Sequence, residues 1–163
     1  MKIVIVGAGH GGGLLAAALS RSNRELDVTL IGEEDFPPYQ RPPLSKAYLM
    51  GEMKRERLFL RPSQFYESAG IQLLSGCSVV RIDCDKRYVE MGDGRTIPYD
   101  RLVLATGGRP RRPALPGADL TGTFTLRSIL DVDQIAHALS QARRLVIVGG
   151  GYIGLEVAAV ARK

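Results

Sequence analysis

Lys2-Ile3-Val4-Ile5-Val6-Gly7-Ala8-Gly9-His10-Gly11-Gly12 is the stretch on which the fold turns. Residues 2–6 are a short apolar, β-branched run without alternation, the pattern of a strand buried on both faces in a parallel sheet. The glycines that follow fit a strand-to-helix turn, and residues 14–21, rich in alanine, read as the helix it feeds. Residues 28–31 are a second β-branched run, so the opening is a βαβ unit. Within it Gly7-Ala8-Gly9-His10-Gly11-Gly12 matches G-x-G-x-x-G. The glycines divide the mechanics between them. Gly7 allows the tight turn, Gly9 allows contact between backbone and a pyrophosphate, and Gly12 allows close helix–sheet packing. The helix N-terminus offers free amides and a positive dipole end. Glu33, 21 residues beyond Gly12, stands where a carboxylate accepts hydrogen bonds from both hydroxyls of an adenosine ribose.

A similar segment recurs at Gly149-Gly150-Gly151-Tyr152-Ile153-Gly154, between an apolar strand expected at 145–148 and an apolar helix expected at 155–161. Two cradles point to two dinucleotides, and the chemistry that joins them economically is hydride transfer from a nicotinamide to a flavin. A plainer alternative, that the second segment only completes a sheet, stays open on the residues alone. The sequence stops at Lys163, before the strand that would carry a second ribose-binding acid, so the NAD-versus-NADP choice is not legible.

Between the cradles, residues 36–43 hold four of the nine prolines and are expected to be a loop, with a helix restarting over 44–50. Ser63 is expected to cap a helix over 63–68, and Gly70 to stop it. Residues 71–98 read as an antiparallel meander with Gly92-Asp93-Gly94 as its hairpin signal. Residues 99–105 return to a buried strand, 107–117 form a connector rich in proline, arginine and glycine, and 131–142 form a helix. The expected class is α/β: a Rossmann-like domain, parallel sheet with helices plus an antiparallel meander, truncated at the start of a second Rossmann unit. The expected division is 1–112, a connector with helix over 113–143, and an incomplete second domain over 144–163.

Composition restricts partners and place. The 163 residues are 45% hydrophobic and 24% charged, with net charge +5 and pI about 9.5. The densest basic stretch is 54–61, but no aromatic-rich motif accompanies it; a phosphate-rich cofactor or an acidic protein partner is expected instead of nucleic acid. Residues 1–20 superficially resemble a secretion signal, yet their glycines would break its helix. No apolar segment reaches the roughly 20 residues of a membrane span, because Arg143-Arg144 and Glu156 bound or interrupt the longest. A cytoplasmic protein is expected. Cys77 and Cys84 match no metal or C-x-x-C spacing and are expected to be reduced, structural thiols. No metal site is expected.

Four blocks carry a family resemblance: the opening Ile3-Val4-Ile5-Val6-Gly7-Ala8-Gly9; Arg41-Pro42-Pro43-Leu44-Ser45-Lys46-Ala47-Tyr48-Leu49; Leu102-Val103-Leu104-Ala105-Thr106-Gly107-Gly108-Arg109-Pro110; and the run from Val146 through the second cradle to Ala159. Together they resemble the flavin-dependent NAD(P)H reductases of ferredoxins and rubredoxins, within the pyridine nucleotide-disulfide oxidoreductase superfamily. The resemblance spans essentially the whole chain, and the proline-flanked second block is its most discriminating part.

The resemblance implies FAD in the first cradle and NAD(P)H in the second. It places Gly11 on the pyrophosphate, Val79 against the adenine, and Ala105, Thr106, Gly107 and Arg127 among the FAD contacts. Lys46 would lie beside the isoalloxazine ring with Arg41 near, where a fixed cation stabilises an anionic reduced ring. Gly149, Gly151, Tyr152, Ile153 and Gly154 would take the nicotinamide nucleotide, Tyr152 covering the flavin until displaced. Disulfide reductases of the superfamily carry cysteines in the segment where this chain has residues 41–46, and none stands there. Electrons should therefore pass directly and singly to an external ferredoxin or rubredoxin feeding an oxygenase or P450, without a catalytic acid or base. His10 is expected to be a turn residue.

The remaining alternatives are a flavoprotein of the apoptosis-inducing-factor type with an assembly role, and an NAD(P)H oxidase or nitrite reductase flavin subunit. Arg109, Arg111 and Arg112 are candidates for recognising an acidic iron–sulfur protein. As it stands the chain is expected to hold FAD weakly or not at all, to be inactive, and to self-associate or fold back through residues 145–161.

Overall fold

The computed structural model describes residues 1–22 and 25–163. They form two compact units: Met1–Gln40 with Phe59–Gly107, and Arg41–Leu58 with Gly108–Lys163.

In the first unit, β1 (Lys2–Val6), β2 (Asp27–Ile31), β3 (Ile71–Leu74) and β7 (Arg101–Leu104) form a parallel sheet in the order β3-β2-β1-β7. Alternation along β1 explains why its sequence is apolar throughout. Ile3 and Ile5, with Val28, Leu30 and Ile71, meet Ala16 of α1 (His10–Leu19) and Tyr66 of α2 (Ser63–Ser68). Val4 and Ile31 face the other way, onto Val89 and Met91 of β5 (Tyr88–Met91). That strand lies between β4 (Val79–Asp83) and β6 (Thr96–Pro98) in a separate antiparallel sheet. Ile5 and Leu30 are wholly buried, each worth about 1.5–3 kcal/mol of transfer free energy.

The second unit has no strand. Its 3₁₀ turn Pro42–Ser45 meets both α3 (Ile129–Leu139) and α4 (Tyr152–Ala161), and a further 3₁₀ turn covers Arg55–Leu58. α3 buries Ile129, Val132 and Ile135 on one stripe. Its N-terminus is closed by a capping box: Asp131 N–H donates to Ser128 Oγ at 3.2 Å, and Ser128 N–H donates to Asp131 Oδ2 at 2.8 Å.

The α/β class and the parallel-plus-antiparallel arrangement are as expected, while several elements shift. α1 starts at His10, inside the glycines. Residues 71–74 join the parallel sheet beside β2, so the meander begins at Val79. α2 is capped by Pro62, with Ser63 as its first residue and Gly70 at φ +66° ending it. Residues 44–50 form turns instead of a helix: the amides of Lys46 and Tyr48 both bond the Pro43 carbonyl, and Lys46 leaves helical geometry at φ −128°, ψ −115°. β7 is the sheet edge, leaving Leu104 61% exposed where a buried strand was expected. Residues 145–148 carry no strand, since a strand exists only against a ladder and the second unit offers none.

Candidate functional site

The first cradle hangs between three strand ends. Gly7 N–H donates to the Ile31 carbonyl at 2.8 Å, and Ala105 N–H donates to the Val6 carbonyl at 2.8 Å. Gly7 turns at φ +112°, and a Cβ there would lie 2.2 Å from the Ala105 carbonyl oxygen. A Cβ on Gly12 would lie 2.0 Å from the Gly7 carbonyl oxygen, so helix and strand meet through that hydrogen atom. Gly9 and Gly11 differ in kind: a Cβ on either meets nothing within 4 Å. Their open side is the side from which a ligand can reach backbone amides. Gly9 also begins α1 without a side-chain cap, leaving the first-turn N–H groups for an external acceptor.

Glu33 follows Gly32, whose added Cβ would stand 2.6 Å from Ala8 Cβ. That close approach sets the end of β2 against the cradle and keeps exposed Glu33 beside it. The neighbouring Glu34 accepts a 2.6 Å hydrogen bond from Tyr39, a buried residue. Val79 and Thr106 come together with Val6, Val80, Ile82 and Leu104 around an open, mostly apolar hollow of about 270 Å³. A register shift between Val79 and Arg81 breaks the β4–β5 ladder at its rim. Ala105 is half-buried and Gly107 adopts φ +67° at the end of β7.

The second unit repeats the turn. Gly149 has φ +106°, and Gly151 caps α4 with no side-chain bond at φ −74°, ψ 170°, close to the −82°, −167° of Gly9. Gly154 stands for Gly12, its added Cβ 2.8 Å from the Gly149 carbonyl oxygen. Gly150 and Gly151 face open space. Tyr152 and Ile153, in the first turn, are 88% and 52% exposed.

Arg41 and Arg127 are brought together: Arg41 donates to the Arg127 main-chain carbonyl. The Arg127 amide donates to Asp131 Oδ2 at 2.9 Å, so the α3 cap sets its position. The Arg127 Nε is buried without a hydrogen-bond partner. A buried guanidinium donor left open fits an anionic ligand acceptor, as the open side of Gly9 and Gly11 does in the first unit, and both features suit a phosphate-bearing cofactor.

Lys46 leads to residues that the motifs do not announce. Its Nζ lies 2.8 Å from Glu156 Oε1 and donates to the Pro42 carbonyl at 3.2 Å. The other Glu156 oxygen, Oε2, accepts from the Ser45 hydroxyl. The Lys46 ammonium, and then the Ser45 hydroxyl, hold the Glu156 carboxyl below the usual glutamate range. One signal was available: Glu156 is the only charged residue between Tyr152 and Ala161, and an acid on an apolar helix requires a partner. Tyr48 and Arg55, from the same segment, both reach Asp133 of α3, at 2.7 and 2.8 Å.

Cys77 and Cys84 are free thiols. Among the described residues no group of three metal-type ligands exists, and no helix is long and apolar enough to cross a membrane.

The family described as pyridine nucleotide-disulphide oxidoreductase matches residues 1–163. The probable ferredoxin reductase CtmF of Castellaniella defragrans is 49% identical over 97% of the chain and 39% of its own length. Rhodocoxin reductase of Rhodococcus erythropolis is 46% identical over 100% of the chain and 38% of its own. Putidaredoxin reductase in its covalent complex with putidaredoxin superposes with a TM-score of 0.89 at 42% identity, covering 99% of this chain and 39% of that one. The chain thus spans about 39% of the length of such relatives. Matched from its first residue to its last, it belongs to the pyridine nucleotide-disulphide oxidoreductase family.

Proposed function

We propose that this sequence serves an FAD-dependent NAD(P)H:ferredoxin or rubredoxin oxidoreductase that supplies electrons to an oxygenase or P450, in the cytoplasm. The observation that carries the reading is the pair of helices, α1 and α4, that begin on glycine turns of matching geometry and leave their first amides uncapped. α3, of similar length, closes its own N-terminus with Ser128 and Asp131. The names of the similar proteins, ferredoxin reductase and rhodocoxin reductase, support the same chemistry.

In this reading the α1 amides and the open faces of Gly9 and Gly11 bind the FAD diphosphate, with Gly7 and Gly12 shaping the turn. Glu33 accepts from the ribose hydroxyls, the hollow at Val79 and Thr106 takes the adenine, and Ala105 and Gly107 are further FAD contacts. Arg41, Lys46 and Arg127 are further FAD contacts, Lys46 placing a fixed cation. Gly149, Gly151, Tyr152, Ile153 and Gly154 hold NAD(P)H. Bound FAD supplies the conversion of one hydride into two single electrons. The division of the chain into 1–112, 113–143 and 144–163 belongs to the same proposal.

Charge supports an acidic acceptor protein. The unit Arg41–Leu58 with Gly108–Lys163 holds thirteen Lys and Arg against six Asp and Glu, while the other holds nine against eleven. The whole excess of positive charge therefore sits on the unit with Lys46 and the second cradle. Arg109, Arg111 and Arg112 are exposed there and are proposed to meet the acceptor. Val146 and Val148, 83% and 78% exposed, are proposed to drive self-association of the 163-residue chain, which sedimentation measures.

Anaerobic titration of the full-length protein with NADH and then a ferredoxin tests the reading. Flavin bleaching followed by salt-sensitive acceptor reduction is expected. A preparation that is colourless and takes up no FAD overturns it.

A further inference from the structure

Apart from Glu156, helix α4 carries no charged residue, yet none of its residues is buried. Hydrophobic packing alone therefore holds it loosely, although it opens the second cradle. It meets the Pro42–Ser45 turn, and the polar part of that contact centres on Glu156. This carboxylate is held at both ends. Lys46 takes Oε1, and Ser45, only 4% exposed, donates its hydroxyl to Oε2.

The two donors differ in what they can do. Lys46 is a flexible cation whose side chain is 50% exposed, and it can follow a carboxylate that turns. Ser45 ends a turn that begins with two prolines, and its short side chain reaches one place only. We propose that Ser45 is a positioning residue: by holding the Glu156 oxygen that Lys46 does not take, it fixes both the Lys46 ammonium and the register of α4 against the Lys46 turn. The inference rests on the functional reading above for its consequence, which is that the nicotinamide cradle and the cation assigned to the flavin become one rigid piece. Hydride transfer tolerates little misplacement, so a residue that joins those two parts acts on rate without touching either nucleotide.

The clamp has a chemical signature that simple filling of space lacks. It needs the Ser45 hydroxyl and the Glu156 carboxylate together, so once Glu156 is removed the loss of Ser45 adds nothing. Hydrogen–deuterium exchange of residues 152–161 in the full-length protein without added nucleotide, corrected for intrinsic rates between pH 3 and 7, reads it directly. Ser45→Ala is expected to speed exchange of this helix roughly tenfold at pH 7, the scale of a hydrogen bond to a charged group. It should also move the acid loss of protection to higher pH. Ser45→Thr, which keeps the hydroxyl, should restore both, and Glu156→Ala, which also releases Lys46, should speed exchange at least as much as Ser45→Ala with no further change in the double variant.

Unchanged exchange in Ser45→Ala, or additive effects of the two substitutions, overturns the proposal. FAD uptake by the same preparations separates its failure from that of the functional reading. A protein that binds no flavin but shows the full exchange pattern keeps the clamp and loses the flavin assignment. A yellow protein in which Ser45→Ala leaves α4 unaltered loses the clamp alone.

Discussion

The two glycine turns share a backbone and differ in what surrounds it. Gly7 and Gly149 have nearly the same φ, and Gly12 and Gly154 both touch the carbonyl of the turn's first glycine. A Cβ on Gly7 would strike the backbone just after β7, whereas one on Gly149 meets nothing within 4 Å. The first turn is anchored by main-chain bonds to neighbouring strands; the second precedes a helix attached through Glu156. Local sterics are thus sufficient to shape such a turn, while its rigidity is conferred by its neighbours.

Substitution by alanine separates these contributions. Gly12→Ala and Gly7→Ala should each cost about 3 kcal/mol or more, since backbone atoms stand within 2.2 Å of the new methyl group and cannot yield cheaply. Gly149→Ala should cost less in urea denaturation, strain at positive φ being its only penalty. Equal losses would show that the surroundings of the two turns are alike after all.

A second substitution divides shape from binding within the first turn. Gly9→Ala meets no atom and should change stability by less than about 1 kcal/mol, yet FAD affinity of the full-length protein should fall roughly tenfold or more as the methyl group fills the ligand's approach. Unaltered FAD binding by that variant, followed by flavin fluorescence, removes the diphosphate from this face.

The capped helix supplies the control for the two open ones. Ser128→Ala should destabilise by about 1 kcal/mol in thermal melts, because it reopens an N–H that the protein itself satisfies. It should also loosen Arg127, whose amide shares Asp131.

Titration sharpens the contrast further. The folded-state pKa of Glu156 lies below its unfolded value, so its contribution is present above the unfolded pKa and is lost as pH falls through the folded one. Wild type and Glu156→Gln should therefore differ in thermal stability at neutral pH and converge in acid. Behind the first turn the sign reverses. Burial pushes the Tyr66 hydroxyl up to about 12, and it has no hydrogen-bond partner. The protein should lose stability between about pH 10 and about 12, where only the unfolded chain ionises. Tyr66→Phe should reduce that loss and be neutral or stabilising by up to about 1 kcal/mol at pH 7.

Much of the site was legible because its signals are local. The strand 2–6, both glycine turns, Gly92-Asp93-Gly94 and the absence of cysteine from residues 41–46 each express sterics or chemistry within a few residues. Where the expectation and the structure diverge most, a distant partner is involved. Residues 71–74 alternate too little to announce which sheet they join, and β2 decides it. Residues 145–148 have strand composition but no ladder. Glu156 was visible as an odd charge, but its partners lie 110 and 111 positions earlier in the chain.

By itself the sequence determined the α/β class, two glycine turns and the residues that shape them, because a glycine's freedom at positive φ is a property of the residue and its immediate neighbours. Only the tertiary structure decided which glycines touch backbone and which face open space, that Arg127 keeps an unused buried donor, and that Ser45 and Lys46 share one carboxylate. Those features depend on atoms meeting across long stretches of chain, and composition or periodicity does not specify such meetings.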